Sequence, residues 1–289
     1  MFESHFGFTA PPFQLSTDSR FYFETKGHSH ALSYLKYGVY QREGFIVFTG
    51  EVGSGKTTIV RTLMDRLDTR EIAAAHIVNT QRDSYGLLYA ICTAFNLEVG
   101  PSKAQLIATL EVFFTALVVG GRRALIFVDE AQNLGPYEVE DLRMLANFQL
   151  GHQSLVQSFL VGQPELRRML RSGTMEQLRQ RVVASCHLGP MTEAETRGYV
   201  EHRLRLVGWT GFPEISDLSF TNIHVLSGGL PRRINQLCTR ILLACWLEGK
   251  NVVDPGDVAN AATALAAEME FDNVSEVEAG NLSDVHPPD

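Results

Sequence analysis

Two kinds of apolar pattern alternate along the first two thirds of the chain. Short runs rich in β-branched and aromatic residues, bounded by turn formers, occur at Gly44–Thr49, Ile72–Val78, Ala124–Val128, Leu155–Val161 and near Val183–Leu188. Such runs read as strands buried on both faces. Between them apolar residues recur at helical spacing. Thr57–Leu67 places Ile59, Val60, Leu63, Met64 and Leu67 on one face, and Tyr85–Phe95, Ala104–Leu117 and Tyr137–Asn147 follow the same rule. Glu165–Leu170 and Glu176–Arg181 are shorter pieces of the same kind. Strands alternating with helices predict an α/β fold built on a mostly parallel sheet covered on both faces.

After Pro190 the runs stop. Thr192–Val207, Ser216–Leu226, Pro231–Leu247 and Pro255–Met269 all read as helices, with no strand among them. Thr192 followed by Glu195 is a capping box, and Gly228-Gly229-Leu230-Pro231 is a stop followed by a start. Ahead of the first strand, residues 1–43 hold Pro11, Pro12 and a series of phenylalanines, with little helical period before His30–Tyr40. The expected organisation is therefore a leader (1–43) packed on an α/β domain (44–190), a helical domain (191–271), and an acidic tail (272–289) without structure.

Composition changes this picture little. The chain has 289 residues, 45% of them hydrophobic and 20% charged, ordinary values for a globular protein. The longest apolar stretch, Val112–Gly121, falls short of the ~18 residues a membrane-spanning helix needs. The start, MFESHFGF, lacks the basic opening and apolar run of a secretory signal. A cytoplasmic protein is expected, able to dock peripherally on a partner at the inner membrane. None of the four cysteines, Cys92, Cys186, Cys238 and Cys245, forms a C-x-x-C pair, so neither a zinc site nor a redox dithiol is indicated. A net charge of −8 disfavours nucleic acid as the main partner. The densest basic region is Arg167, Arg168 and Arg171, then Arg179 and Arg181; a solvated helix face or a subunit contact explains it before a DNA footprint does.

The chemistry-bearing segment is Gly50-Glu51-Val52-Gly53-Ser54-Gly55-Lys56-Thr57, which fits G-x-x-x-x-G-K-[ST] between an apolar strand and a helix. Glycines let the backbone curl until consecutive N–H groups face one cluster of anionic oxygens, and the helix start adds its dipole. In such a Walker A loop the lysine reaches the β- and γ-phosphates of ATP and the threonine hydroxyl ligates Mg²⁺. The loop residues through Thr57, with Thr58, are thus expected to line the phosphates.

A carboxylate pair, Asp129-Glu130, ends the apolar run Leu125-Ile126-Phe127-Val128 (Walker B). Carboxylates at the C-terminal end of a parallel strand lie at the edge where α/β folds bind ligands. Asp129 there holds Mg²⁺, mainly through water, while Glu130 can orient the attacking water or take its proton, which favours hydrolysis over phosphoryl transfer to a hydroxyl. Leu160-Val161-Gly162-Gln163 is another strand ending in a polar residue, so Gln163 can meet the γ-phosphate or the water if its strand lies beside that of Asp129. Arg232 and Arg233 open a helix from which an arginine can reach phosphates. Arg181, with Arg179 behind it, is the candidate for an arginine presented to a neighbouring subunit.

These elements in this order resemble the AAA+ ATPase superfamily. The resemblance implies a parallel sheet in the order 5-1-4-3-2 with a small helical lid, assembly as a ring or filament, and roles of sensor one for Gln163, arginine finger for Arg181 and sensor two for Arg232. The segments Phe8…Pro12-Phe13…His28…Gly38, Asp129-Glu130-Ala131-Gln132-Asn133-Leu134, Val161-Gly162-Gln163-Pro164-Glu165-Leu166, Leu178-Arg179-Gln180-Arg181 and Leu230-Pro231-Arg232-Arg233-Ile234-Asn235 are similar to the general secretion pathway protein A family. Secretion members continue into a membrane span and a peptidoglycan-binding domain. A compact form with an acidic tail is instead similar to the ATPase associated with exosortase/PEP-CTERM loci, which implies envelope or exopolysaccharide export. The same core also resembles DNA-binding ATPases that select transposition targets, the alternative expectation.

Overall fold

The computed structural model describes residues 2–14, 21–78 and 86–282, with side chains for all of these except Thr174 and 269–282. The chain divides into two compact units, Glu24–Gly189 and residues 1–23 with 190–289.

The first unit is built on a five-stranded, all-parallel sheet: β1 (Phe45–Gly50), β2 (Ile72–Ile77), β3 (Arg123–Val128), β4 (Val156–Gly162) and β5 (Val182–Leu188). The spatial order is 5-1-4-3-2, the order the resemblance implies. Every residue of β1 and β4 is buried, because both faces of the sheet are covered. Alternate residues feed two cores. Phe45 and Val47 pack with Ile126, Val128 and helices α4 (Gly86–Ala94), α5 (Lys103–Val119) and α6 (Pro136–Leu145). Ile46 and Phe48 pack with Phe127, Phe159 and helices α2 (Lys26–Gln41) and α3 (Lys56–Asp65). The segment expected as a helix from Tyr85 starts, within the described residues, at Gly86; residues 79–85 lie outside them.

Two polar residues, Gln157 and Ser158, interrupt the apolar run of β4. Gln157 is buried and donates its amide to Gly38 O and Glu43 O, both at 2.9 Å. Arg123 reaches Val39 O from β3. Together they satisfy carbonyls that the C-terminus of α2 leaves open.

The second unit holds α1 (Phe2–Phe6), α9 (Glu193–Leu206), α10 (Asp217–Ser227), α11 (Pro231–Glu248) and α12 (Pro255–Leu282). It corrects the sequence reading at several points. The leader up to Phe23 joins this unit rather than the α/β unit: Phe6, Phe8, Phe13 and Phe21 share a core with Tyr199, Val200, Leu204, Ile234 and Leu237. The leader also opens with a helix where extended chain is expected. Arg203 anchors it, donating to Pro12 O (2.6 Å) and Gln14 O (2.7 Å) beneath the Phe21 ring. A two-residue parallel ladder, Glu214–Ile215 with Val252–Val253, appears where no strand is expected, since two residues are too few to show a period. Helix α12 runs to Leu282, past the expected end at Met269 and into the tail; residues 283–289 lie outside the described ones. Among the described residues no helix is long and apolar enough to cross a membrane.

Candidate active site

The candidate loop joins interior strand β1 to α3, and its shape follows from where its glycines fall. Gly55 is the N-cap of α3 at φ 101°, a backbone conformation closed to most side chains, and no side chain caps the helix. A Cβ at Gly55 would stand 3.1 Å from His28 Nε2, so the loop also needs a bare residue against α2. His28 is held there by a capping box with Thr25. The first N–H groups of α3, those of Lys56, Thr57 and Thr58, have no partner within the helix and form a donor cradle. Thr58 is exposed, while Glu51 and Val52 lie at the outer rim.

Lys56 is buried, with Nζ donating to Gly50 O (2.8 Å) and Glu51 O (3.0 Å). Burial pushes its ammonium below the ordinary lysine range, against the pull of Glu130, Asp129 and Glu51. Its charge is thus incompletely matched by the protein.

Parallel register brings the other candidates to the same edge. Val128 pairs with Leu160 and Thr49 with Gly162, so Asp129 and Gln163 leave the sheet together beside the loop. Thr57 Oγ1 donates to Asp129 Oδ2 at 3.0 Å, two hard oxygens converging as a Mg²⁺ site requires. Among the described residues no cluster of three His, Cys, Asp or Glu forms a metal cage, so a cation here would complete its shell with water and phosphate oxygens. Desolvation works to raise the Asp129 carboxyl. His76, the Glu130 N–H and the Thr57 hydroxyl outweigh it and hold the carboxyl below the usual range. His76 Nε2 lies 3.5 Å from Asp129 Oδ2, within ion-pair range.

Glu130 has φ 50° and ψ 37°, left-handed backbone that bends the chain away from β3 directly after Asp129. Its Oε2 accepts from Gln132 Nε2 (2.6 Å) and Gln163 Nε2 (3.2 Å). The structure therefore joins Thr57, Asp129, Glu130 and Gln163 in one network. Arg181 is half-buried ahead of β5, its carbonyl accepting from Phe45 N–H, and Arg179 is exposed in the last turn of α8 (Glu176–Arg179). Arg232 belongs to the other unit, exposed on the first turn of α11. Two residues near the chemistry carry no role in the sequence reading. His76 is a polar residue inside the apolar strand β2, one position before its end. Gln132 gives no signal, because only the turn at Glu130 brings it back.

A parallel sheet in the order 5-1-4-3-2, a Gly-rich loop after its interior strand β1, an Asp-Glu pair at the end of β3 and a helical second unit make up the AAA+ P-loop fold. Residues 39–170 match the family described as AAA domain. In sequence the chain is similar to general secretion pathway protein A of Aeromonas hydrophila, 37% identical over 264 residues covering 91% of this chain and 48% of the relative. It thus spans about half the length of that relative. Solved structures with the same fold include the Aeropyrum pernix ORC2 protein (TM-score 0.62, 16% identity, 89% of this chain and 72% of that one). Cdc6p from Pyrobaculum aerophilum is similar at TM-score 0.64, 16% identity, and 86% and 69% coverage.

Proposed function

We propose that the chain binds ATP with Mg²⁺ at the Gly50–Thr57 loop and hydrolyses it to ADP and phosphate within an oligomer, a ring or a filament. The observation that carries this reading is the convergence of the Thr57 hydroxyl on Asp129, 3.0 Å apart, beside Glu130 and Gln163. Lys56 and the N–H groups at the start of α3 bind the phosphates, and Thr57 and Asp129 hold Mg²⁺, which supplies charge neutralisation when bound. Glu130 takes the proton of the attacking water, and Gln163 orients that water against the γ-phosphate. Arg181 stabilises transition-state charge on a neighbouring subunit's ATP.

Likeness to general secretion pathway protein A supports a role in envelope traffic. We place the chain in the exosortase-linked, exopolysaccharide-exporting branch, coupling hydrolysis to assembly with a protein partner at the inner membrane. A null strain should stop exporting polysaccharide and regain export with the wild-type gene but not with Glu130→Gln; export by the null strain at the wild-type level would remove that placement.

Shared sites are tested by mixing two inactive variants, Lys56→Ala and Arg181→Ala. A mixed interface pairs an intact nucleotide site with an intact finger, so activity returns only if Arg181 acts in trans. Removing a finger should cost about 10³-fold in kcat with ATP affinity kept. A silent mixture whose co-assembly is shown by mass photometry would pass the role to Arg179 or Arg232. Duplex DNA at ~0.15 M salt should leave the rate unchanged; a several-fold, salt-sensitive stimulation would favour the transposition-type reading instead.

A further inference from the structure

We propose that Gln132 is a positioning residue for hydrolysis, a two-ended amide that aims the Glu130 carboxylate from the end of β4; the inference rests on Glu130 acting on the attacking water. One end of the amide, Nε2, donates to Glu130 Oε2 at 2.6 Å. The other, Oε1, accepts the backbone N–H of Gln163 at 3.0 Å. Gln163 Nε2 donates to the same Glu130 oxygen at 3.2 Å, which closes a ring of three residues through the Gln163 backbone. The direction of the amide follows from its partners: turned over, its oxygen would face a carboxylate and its NH₂ would face an N–H donor.

The fit depends on β4 ending in glycine. A Cβ on Gly162 would stand 2.6 Å from Gln132 Oε1, so the close approach of amide and strand is possible only without a side chain. Both donors converge on Oε2, while Oε1 carries no hydrogen bond among the described residues and is the oxygen left to meet water. Gln163 has a second duty toward the γ-phosphate. When it turns to that duty, the 3.2 Å bond to Glu130 is the one lost, and the 2.6 Å bond from Gln132 keeps the carboxylate aimed. Small errors of aim at a reacting group are costly in rate while ground-state binding is untouched.

The test compares steady-state ATPase rates, calorimetric ATP affinity and Tm for Gln132→Ala, Gln132→Glu, Glu130→Gln and the double variant Gln132→Ala/Glu130→Gln. Gln132→Ala should lower kcat about 10- to 100-fold with ATP Kd and Tm unchanged. Gln132→Glu keeps the acceptor for the Gln163 N–H but sets a carboxylate against Glu130, and should be at least as slow. In the Glu130→Gln background Gln132→Ala should cost little more, because the group it aims has already gone. Wild-type kcat in either single Gln132 variant, a full additive loss in the double variant, or a loss matched by weaker ATP binding or lower Tm would each overturn the proposal. If Glu130→Gln itself turns over at the wild-type rate, the assignment of Glu130 fails, an outcome distinct from a fast Gln132→Ala beside a slow Glu130→Gln.

Discussion

Each unit buries a cation against backbone carbonyls, and the two cations are completed differently. In the helical unit, Arg203 matches Nε to Pro12 O, Nη2 to Gln14 O and Nη1 to Tyr199 OH, with its Cζ 4.6 Å from the Phe21 ring centroid. In the α/β unit, Lys56 spends two of its three donors on Gly50 O and Glu51 O, and burial depresses its pKa. A guanidinium with a partner on each of its three nitrogens acts as a rivet. An ammonium beside unpaired N–H groups at the start of a helix fits the proposed phosphate site. What faces a buried charge therefore separates structure from site better than burial alone.

Reversing the two roles should produce opposite phenotypes. Arg203→Ala leaves three acceptors without a donor and should cost about 3–5 kcal/mol in denaturant unfolding; Arg203→Lys should recover little, since an ammonium cannot reproduce the fork. Unchanged unfolding in Arg203→Ala would break the rivet interpretation. Lys56→Ala should unfold like wild type yet lose ~100-fold or more in ATP affinity, read by calorimetry. Retained affinity would undo the loop assignment.

Glu130→Gln sharpens the contrast inside the α/β unit. It should bind ATP normally and lose about 100-fold in kcat, because an amide cannot take the proton. A rate equal to wild type would move that role elsewhere.

The smallest effect concerns pH. The Asp129 carboxyl is held below the ordinary range, so its contribution to folding is complete above the unfolded value near ~3.9 and is lost as pH falls through the folded one. The Tm difference between wild type and Asp129→Asn should be flat from about pH 8 to 5 and shrink below about 4. A difference that grows as pH falls below about 4 would contradict a carboxyl held down by His76, the Glu130 N–H and the Thr57 hydroxyl.

Much of the α/β unit is legible from local pattern. Runs such as Phe45–Phe48 and Leu125–Val128 can only be strands buried on both faces, and polar residues directly after them fall at the ligand edge of the sheet. That is why Asp129, Glu130 and Gln163 could be named together with the loop. Gln157 and Gln132 were not legible. The first looks like a flaw in a strand until the open carbonyls of α2 arrive above it. The second depends on one left-handed residue, Glu130, where a non-glycine gives no warning of positive φ.

The sequence by itself determined the strands, the helices, the phosphate loop and the edge at which chemistry gathers, because each follows from periodicity or from backbone needs within a few residues. Only the tertiary structure decided that the aromatic leader joins the helical unit, that Gln132 closes the ring around Glu130, and that His76 stands beside Asp129. Phenylalanines without a period will cover whichever apolar surface is presented, and a polar side chain takes its meaning from a partner far away in the chain. Both are settled by packing between distant segments, which leaves no mark on local pattern.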